Sequence, residues 1–229
     1  ILFFSLPLII GNIFQQFYSM ADTLIVGRTI GVNALAAVGC TGSITFLILG
    51  FVQGLTSGLS IITSQKFGAK NEDDVRKSFA ASILISSAVA IITTILSVLL
   101  ARPLLELLQT PSEIIDDAWA YLVIIFLGIP ATVLFNLLSN AVRALGDSKT
   151  PLYFLIFACC INIILDLVFI LYFHLGVVGA GIATILSQLL SGILCIFFII
   201  KKVPILRLKK TDFQMHYEVI TSHLSIALP

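Results

Sequence analysis

Apolar stretches of about 20 residues or more follow one another along almost the whole chain, separated by short polar connections. No other feature limits the fold as strongly. A run of that length is what an α-helix needs to cross a hydrocarbon core about 30 Å thick. The charge content agrees. Soluble domains carry about 25% charged residues, whereas this chain is 11% charged and 59% hydrophobic. The chain therefore reads as an all-α, polytopic membrane protein. Its net charge of +1 supplies no basic field for nucleic acid.

The pattern predicts a first helix over 1–30, with Pro7 near its start and Gly31 after its end. A second, rich in Gly and Ser, covers 34–67. The polar stretch 66–77 follows and contains Lys70-Asn71-Glu72-Asp73-Asp74. A third helix covers 75–108. Thr110-Pro111-Ser112-Glu113 reads as an N-cap, a proline in the first turn and a glutamate at the third position. It opens a fourth helix that runs to 145. Gly146-Asp147-Ser148-Lys149-Thr150-Pro151 is a turn and a restart, and the fifth helix covers 151–173. The glycine-rich segment 176–181 leads into a sixth helix that ends near Lys202. This gives a six-helix transmembrane lobe over 1–203, a polar cytoplasmic linker over 204–217 and the truncated start of a second lobe over 218–229. The chain begins at Ile1 and stops at Pro229, both inside apolar runs, with neither an initiator Met nor a basic leader. The expectation is a fragment of something longer.

Lys and Arg are sorted by connection. Lys66, Lys70, Arg76 and Lys77 follow the second helix, and Arg143 and Lys149 follow the fourth. Lys201, Lys202, Arg207, Lys209 and Lys210 follow the sixth. The opposite ends hold only Arg28 and Arg102. By the positive-inside rule the N-terminal side is cytoplasmic. The segment Leu224-Ser225-Ile226-Ala227-Leu228-Pro229 echoes Phe3-Phe4-Ser5-Leu6-Pro7. Six spans followed by a restart of the same motif suggest a tandem repeat of two six-helix halves.

Two carboxylates stand inside these spans. Asp22 follows Tyr18-Ser19-Met20-Ala21, and Asp166 lies in Asn162-Ile163-Ile164-Leu165-Asp166-Leu167. A carboxylate at the centre of a spanning helix costs roughly 2.5–3.5 kcal/mol on insertion scales, and it normally faces a bundle interior or a water-filled cavity. Helix direction and rise put Asp22, Asp166, Tyr121 and Thr184 in the outer half of the membrane. Asn162 lies one turn below Asp166 on the same face. Two carboxylates in a poorly solvated pocket rarely both ionise, because desolvation and like charge oppose it. Such a pair can load and release a proton. The same oxygens suit a bare Na⁺, with Asp22, Asn162, Asp166 and Thr184 as its ligands. Interhelical hydrogen bonding is the structural alternative for Asn162 and Thr184.

Other polar residues have less to distinguish them. Gln16, Tyr18, Gln53, Asn140 and Gln188, with Asn12 and Gln15, suit either a substrate cavity or hydrogen bonds between helices. Gly50, Gly54 and Gly58 form a small-residue stripe that favours close helix packing. Arg143 and Asp147 read as a solvated helix end, His174 as interfacial, and Trp119 as part of an outer aromatic belt. Cys40, Cys159, Cys160 and Cys195 lack metal-ligand spacing and read as small core or lipid-facing residues. There is no nucleotide-binding glycine loop with its Lys-Ser/Thr, so direct ATP drive is unsupported. No cofactor and no enzymatic constellation are indicated.

In this order the motifs resemble the N-terminal half of the multidrug and toxic compound extrusion (MATE) family. The matching text is Pro7, then Gln16-x-Tyr18-x-x-x-Asp22-Thr23-x-x-Val26-Gly27, then Ala34-Leu35-Ala36-Ala37-Val38-Gly39. Ser64-Gln65-x-x-Gly68-Ala69, Arg143-Ala144-x-Gly146-Asp147-x-x-x-Pro151, Asn162-x-x-x-Asp166 and Gly176-Val177-x-Gly179-Ala180-x-x-Ala183-Thr184 follow. The resemblance implies a twelve-helix fold of two lobes, of which this chain is one. It also implies a cation-coupling cluster in residues matching Asp22, Tyr121, Asn136, Asn162, Asp166 and Thr184. One departure is visible: many members carry Pro directly after the aspartate of the fifth helix, where this chain has Leu167, so a straighter helix is expected there.

The reading is an antiporter that uses H⁺ or Na⁺ to export amphipathic, often cationic organic compounds. Its partners are those small molecules, membrane lipid and the missing C-terminal lobe. Its place is the plasma membrane, a bacterial inner membrane. A flippase of a related fold acting on lipid-linked sugars is the alternative, but its cavity would be more basic. A channel would need a filter signature, which is absent. The Gly-Leu-Gly-Asp type context of an intramembrane aspartyl protease is missing.

Overall fold

Continuous apolar sequence gives continuous helix. In the structure, a computed structural model describing residues 2–209, 212 and 223, seven α-helices follow one another without a strand among the described residues. They are α1 (Leu2–Thr29), α2 (Val32–Gly68), α3 (Glu72–Leu107), α4 (Ile115–Leu127), α5 (Ile129–Ala144), α6 (Lys149–Leu167) and α7 (Gly176–Lys202). A π-helical turn (Val168–Tyr172) extends α6, and a 3₁₀ turn (Pro204–Leu206) follows α7. Among the described residues, α2, α3, α6 with its π turn, and α7 are long and apolar enough to cross a membrane. α4 and α5 together make a fifth such unit. At 28 residues α1 has the length, about 42 Å, but it carries Asn12, Gln15, Gln16, Ser19 and Asp22 and is not among the helices that pass by composition. The expected start of a second lobe, its echo at 224–229, and Lys210 lie outside the described residues, apart from His223.

Side chains set two of the helix starts. Asn71 caps α3 by accepting from the Asp74 amide at 3.3 Å, and Glu72, Asp73 and Asp74 place negative charge at the positive end of the helix dipole. Asp147 starts α6, accepting from the amides of Lys149 and Thr150, both at 3.0 Å, and from the Thr150 hydroxyl at 2.6 Å. Gly146, with φ of 92°, makes the preceding turn.

Three expectations need correction. The predicted fourth helix is broken: α4 and α5 meet at Gly128 with a bend of 44°. Pro130 sits in the first turn of α5, where a missing N–H costs no intrahelical bond. The capping box at 110–113 does not form. The Pro111 carbonyl takes the amides of Ile114 and Ile115 instead, α4 starts at Ile115 without a side-chain cap, and the Thr110 hydroxyl is buried with no partner. The glycine stripe of α2 serves packing only in part: Gly58 is buried, but Gly50 and Gly54 are not packed against a neighbour. Where a Cβ would sit on Gly50 or Gly54 there is no atom within 4 Å, and both line an open cleft.

The close approaches lie elsewhere. A Cβ on Gly128 would stand 2.3 Å from Cγ1 of Ile185, and one on Gly181 would stand 2.8 Å from Cγ2 of Ile124. These two glycines let α7 lie against the α4–α5 bend. α1 packs mainly on α6, and α2 on α3 and α5. One apolar cluster, with Val26, Leu105, Leu122, Phe126 and Ile129, forms around α4. Another, with Val75, Phe79, Leu138, Val142, Cys195, Ile199 and Leu206, lies at the basic end. There Arg76 pairs with Asp212 at 3.6 Å, and Ser78 hydrogen-bonds His223 at 2.9 Å. Residues beyond α7 therefore sit on the same side as the connection between α2 and α3.

Candidate functional site

A cleft of about 750 Å³ opens between α1 and α2. Its floor comes from α4, α5, α6 and α7, so every α-helix except α3 contributes to it. Tyr18, Asp22, Gln53, Tyr121, Asn136, Asn140, Thr184 and Gln188, all predicted from sequence, line it. Gln16 does not. It sits one residue off the cleft face of α1, in a shallow groove beside Met20, Arg28 and Leu35.

The two carboxylates meet at one wall of the cleft. Asp22 borders it and is 6% exposed, whereas Asp166, in the last turn of α6, is fully buried. Their carboxyl groups lie close enough to act on each other electrostatically. Two ionised carboxylates only accept hydrogen bonds, so they join only through a shared proton. Asn162 is also fully buried. Its Nδ2 donates to Thr184 Oγ1 at 3.4 Å, which leaves the carbonyl end of the amide unused. Asp22 Oδ1, Asn162 Oδ1 and both Asp166 oxygens are buried without a hydrogen-bond partner. Buried polar atoms are nearly always satisfied. Four orphan oxygens together are a donor set for a proton or for a hard cation that prefers oxygen ligands.

Tyr18 and Tyr121 close this pocket. The Tyr18 hydroxyl stands beside Thr184 and Ser187, and Tyr121 lies near Asp22, Tyr18 and Asp166. Ser187, buried and bonded to the Thr184 carbonyl at 2.9 Å, was not singled out by sequence reasoning. Its position one turn after Thr184 was the available signal. Asn136 belongs to the cleft but not to this cluster. Thr132 bonds Gln188 at 2.5 Å, one turn along α7 from Thr184. Asn136 is a further turn along α5, about 12 Å from the Thr184 level by helix rise.

The lower cleft carries a second polar chain. Arg143 Nη1 donates to Asn140 Oδ1 at 3.2 Å, and Asn140 Nδ2 donates to Thr56 Oγ1 at 3.4 Å. Arg143 therefore faces the cleft rather than bulk solvent, with its Nε buried and unpartnered. Asp147, read alongside it as a solvated end, serves as the cap of α6. Where the fifth helix was expected to be straighter, the α-helix runs unbroken through Leu167 and then widens into the π turn, with Phe173 N bonding Val168 O at 3.1 Å. Such turns often mark functional segments.

Residues 7–168 match the MatE family. The chain is a member of that family. Over 86% of its length it is 38% identical to the probable multidrug resistance protein YpnP of Bacillus subtilis, and it covers 44% of that protein. It is 30% identical over 99% of its length to the probable multidrug resistance protein YoeA of the same organism, covering 50% of it. The crystal structure of MATE in the bent conformation superposes with a TM-score of 0.92 at 25% identity, over all of this chain and 51% of that one. The chain thus spans about half the length of the relatives it matches. MATE proteins are membrane transporters, and the apolar helices described above place this MatE chain in the membrane.

Proposed function

We propose that this chain is one lobe, residues 1–203, of a cation-coupled antiporter that exports amphipathic, often cationic organic compounds. Residues 204–217 are the linker, and 218–229 open the second lobe. The N-terminal side and the linker face the cytoplasm, across the plasma membrane. The observation that carries this reading is the Asp22–Asp166 pair, whose three unpartnered oxygens lie with that of Asn162 at the wall of the cleft. The names of the relatives, multidrug resistance and multidrug export proteins, support the substrate class.

Asp22 is the entry group because it borders the cleft. Asp166 is the inner site. A proton arriving from the cleft is shared between the two carboxyls, or Na⁺ replaces it with Asn162 and Thr184 completing the shell. Either cation neutralises the pair, so an organic cation and the coupling ion compete for the same negative charge. That competition is the basis of exchange. A flippase reading would need a basic cavity, and Arg143 alone among the lining residues is cationic.

Dye efflux from vesicles of the full-length protein tests this, under an imposed pH gradient and separately under a Na⁺ gradient. Efflux driven by one of them and lost in Asp166→Asn is expected. Equal efflux by wild type and Asp166→Asn under both gradients overturns the coupling site.

A further inference from the structure

Behind α5, away from the cleft, α3, α5 and α7 enclose a second cavity of about 720 Å³. Phe79, Ile83, Ala90, Leu134, Leu137 and Ile199 supply most of its wall. Its length is that of one leaflet. From Phe79 to Ile91 the lining stretch of α3 rises about 18 Å, against roughly 15 Å for half of a hydrocarbon core about 30 Å thick. Ser87, Ile91 and Ile200 line it and are exposed, so the groove opens sideways, toward lipid.

One end of the groove is charged. The chain after α7 turns back under it. Leu206 is buried there, and Arg207 and Leu208 line the end. Arg207 Nε donates to the Ile200 carbonyl at 2.7 Å, which fixes the guanidinium at the mouth with its two Nη groups free to take an anion. Lys201, Lys202 and Lys209 are exposed beside it in the chain. Among the described residues none of these four cations has a carboxylate within 4 Å. Apolar walls one leaflet long, ending at an unpaired guanidinium, match the two parts of an anionic lipid. Arginine suits the phosphate because its N–H groups bond two oxygens at once.

We propose that this groove holds one acyl chain of an anionic phospholipid from the leaflet on the basic side, with its phosphate against Arg207. The lipid seals α5 from behind while the cleft stays open in front. It does not depend on which ion or substrate the cleft handles.

The test is native mass spectrometry of the full-length protein, delipidated and then exposed to equal phosphatidylglycerol and phosphatidylcholine. Wild type should retain the former over the latter by about five-fold, the ratio one basic side chain near a membrane surface provides. Arg207→Gln should bring the two to parity, and Arg207→Lys should keep the preference. Ser87→Trp, on the exposed rim, should lower retention of both lipids. Ile91→Trp repeats that arm if the Ser87 variant does not elute as a folded species. Equal retention by wild type, an undiminished preference in Arg207→Gln, or wild-type retention in the rim variants would each overturn the proposal.

Discussion

Asn162 donates to the Thr184 hydroxyl across the α6–α7 seam, and this bond decides what the other end of the amide does. With Nδ2 engaged, Oδ1 stays buried and unpartnered, one helical turn from Asp166. Thr184→Ala should release the amide to rotate and blur the oxygen set without removing a charge. A net hydrogen bond is worth roughly 0.5–1.5 kcal/mol, so driven efflux should fall by about two- to ten-fold and not vanish. Asn162→Asp is the counterpart. A third buried carboxylate should depress efflux more than Thr184→Ala does, measured in the same vesicles.

Asp22 and Asp166 should not be equivalent to a reagent arriving from the cleft. Asp22 borders the cleft, and Asp166 lies behind it. A carbodiimide that labels protonated carboxyls should modify Asp22 first, and labelling of Asp166 should follow only slowly. Peptide mapping over a time course reads the order. Simultaneous modification, or Asp166 first, contradicts the proposed route of entry. Both Asp→Asn variants should remain folded, because the amide keeps the shape.

Gly128→Ala should destabilise the lobe. Its Cβ would sit 2.3 Å from Cγ1 of Ile185 and 3.1 Å from the Ile125 carbonyl oxygen. Overpacking of this kind costs about 1–3 kcal/mol. Thermal denaturation in detergent should show a lowered Tm, and adding Ile185→Ala should restore part of it. Full additivity of the two losses would mean that the α7 contact does not set the position of the break.

Asp212 should tie the segment after α7 to the base of α3. It pairs with Arg76, both side chains being largely buried, and its carboxylate accepts from the Lys209 amide at 2.7 Å. Asp212→Asn should speed tryptic cleavage at Lys209 several-fold in the purified full-length protein. Unchanged cleavage would show that the apolar seat of Leu206 holds the segment alone.

Sequence reasoning reached the helices readily, because length and hydropathy determine them before packing is known. It also reached the inward face of Asn162 and Asp166, because a buried carboxylate has few places to go in a membrane. It misread positions where the deciding atom belongs to another helix. Gly50 and Gly54 look like packing glycines until α2 is seen to border a cleft. Gly128 looks like an ordinary residue of a long helix until Ile185 of α7 presses on it. Gln16 and Gln15 differ by one residue and so by about 100° of helix rotation, and only Gln15 reaches the cleft. Arg143 reads as a solvated helix end because its neighbours in sequence are turn residues. Its partner Asn140 and the cleft beyond become visible only in three dimensions.

α5 has lipid-like surroundings on one side and water on the other. Thr132, Asn136, Ser139, Asn140 and Arg143 point into the cleft, while Pro130, Val133, Leu134, Leu137 and Leu138 face the apolar groove. A single inserted residue would turn the remainder of the helix by about 100° and carry each set toward the wrong medium. Rotation errors that a one-sided helix absorbs would here spoil two compartments at once. The spacing between the break at Gly128 and the turn at Gly146 is thereby fixed, and length variation between relatives should gather outside those two glycines.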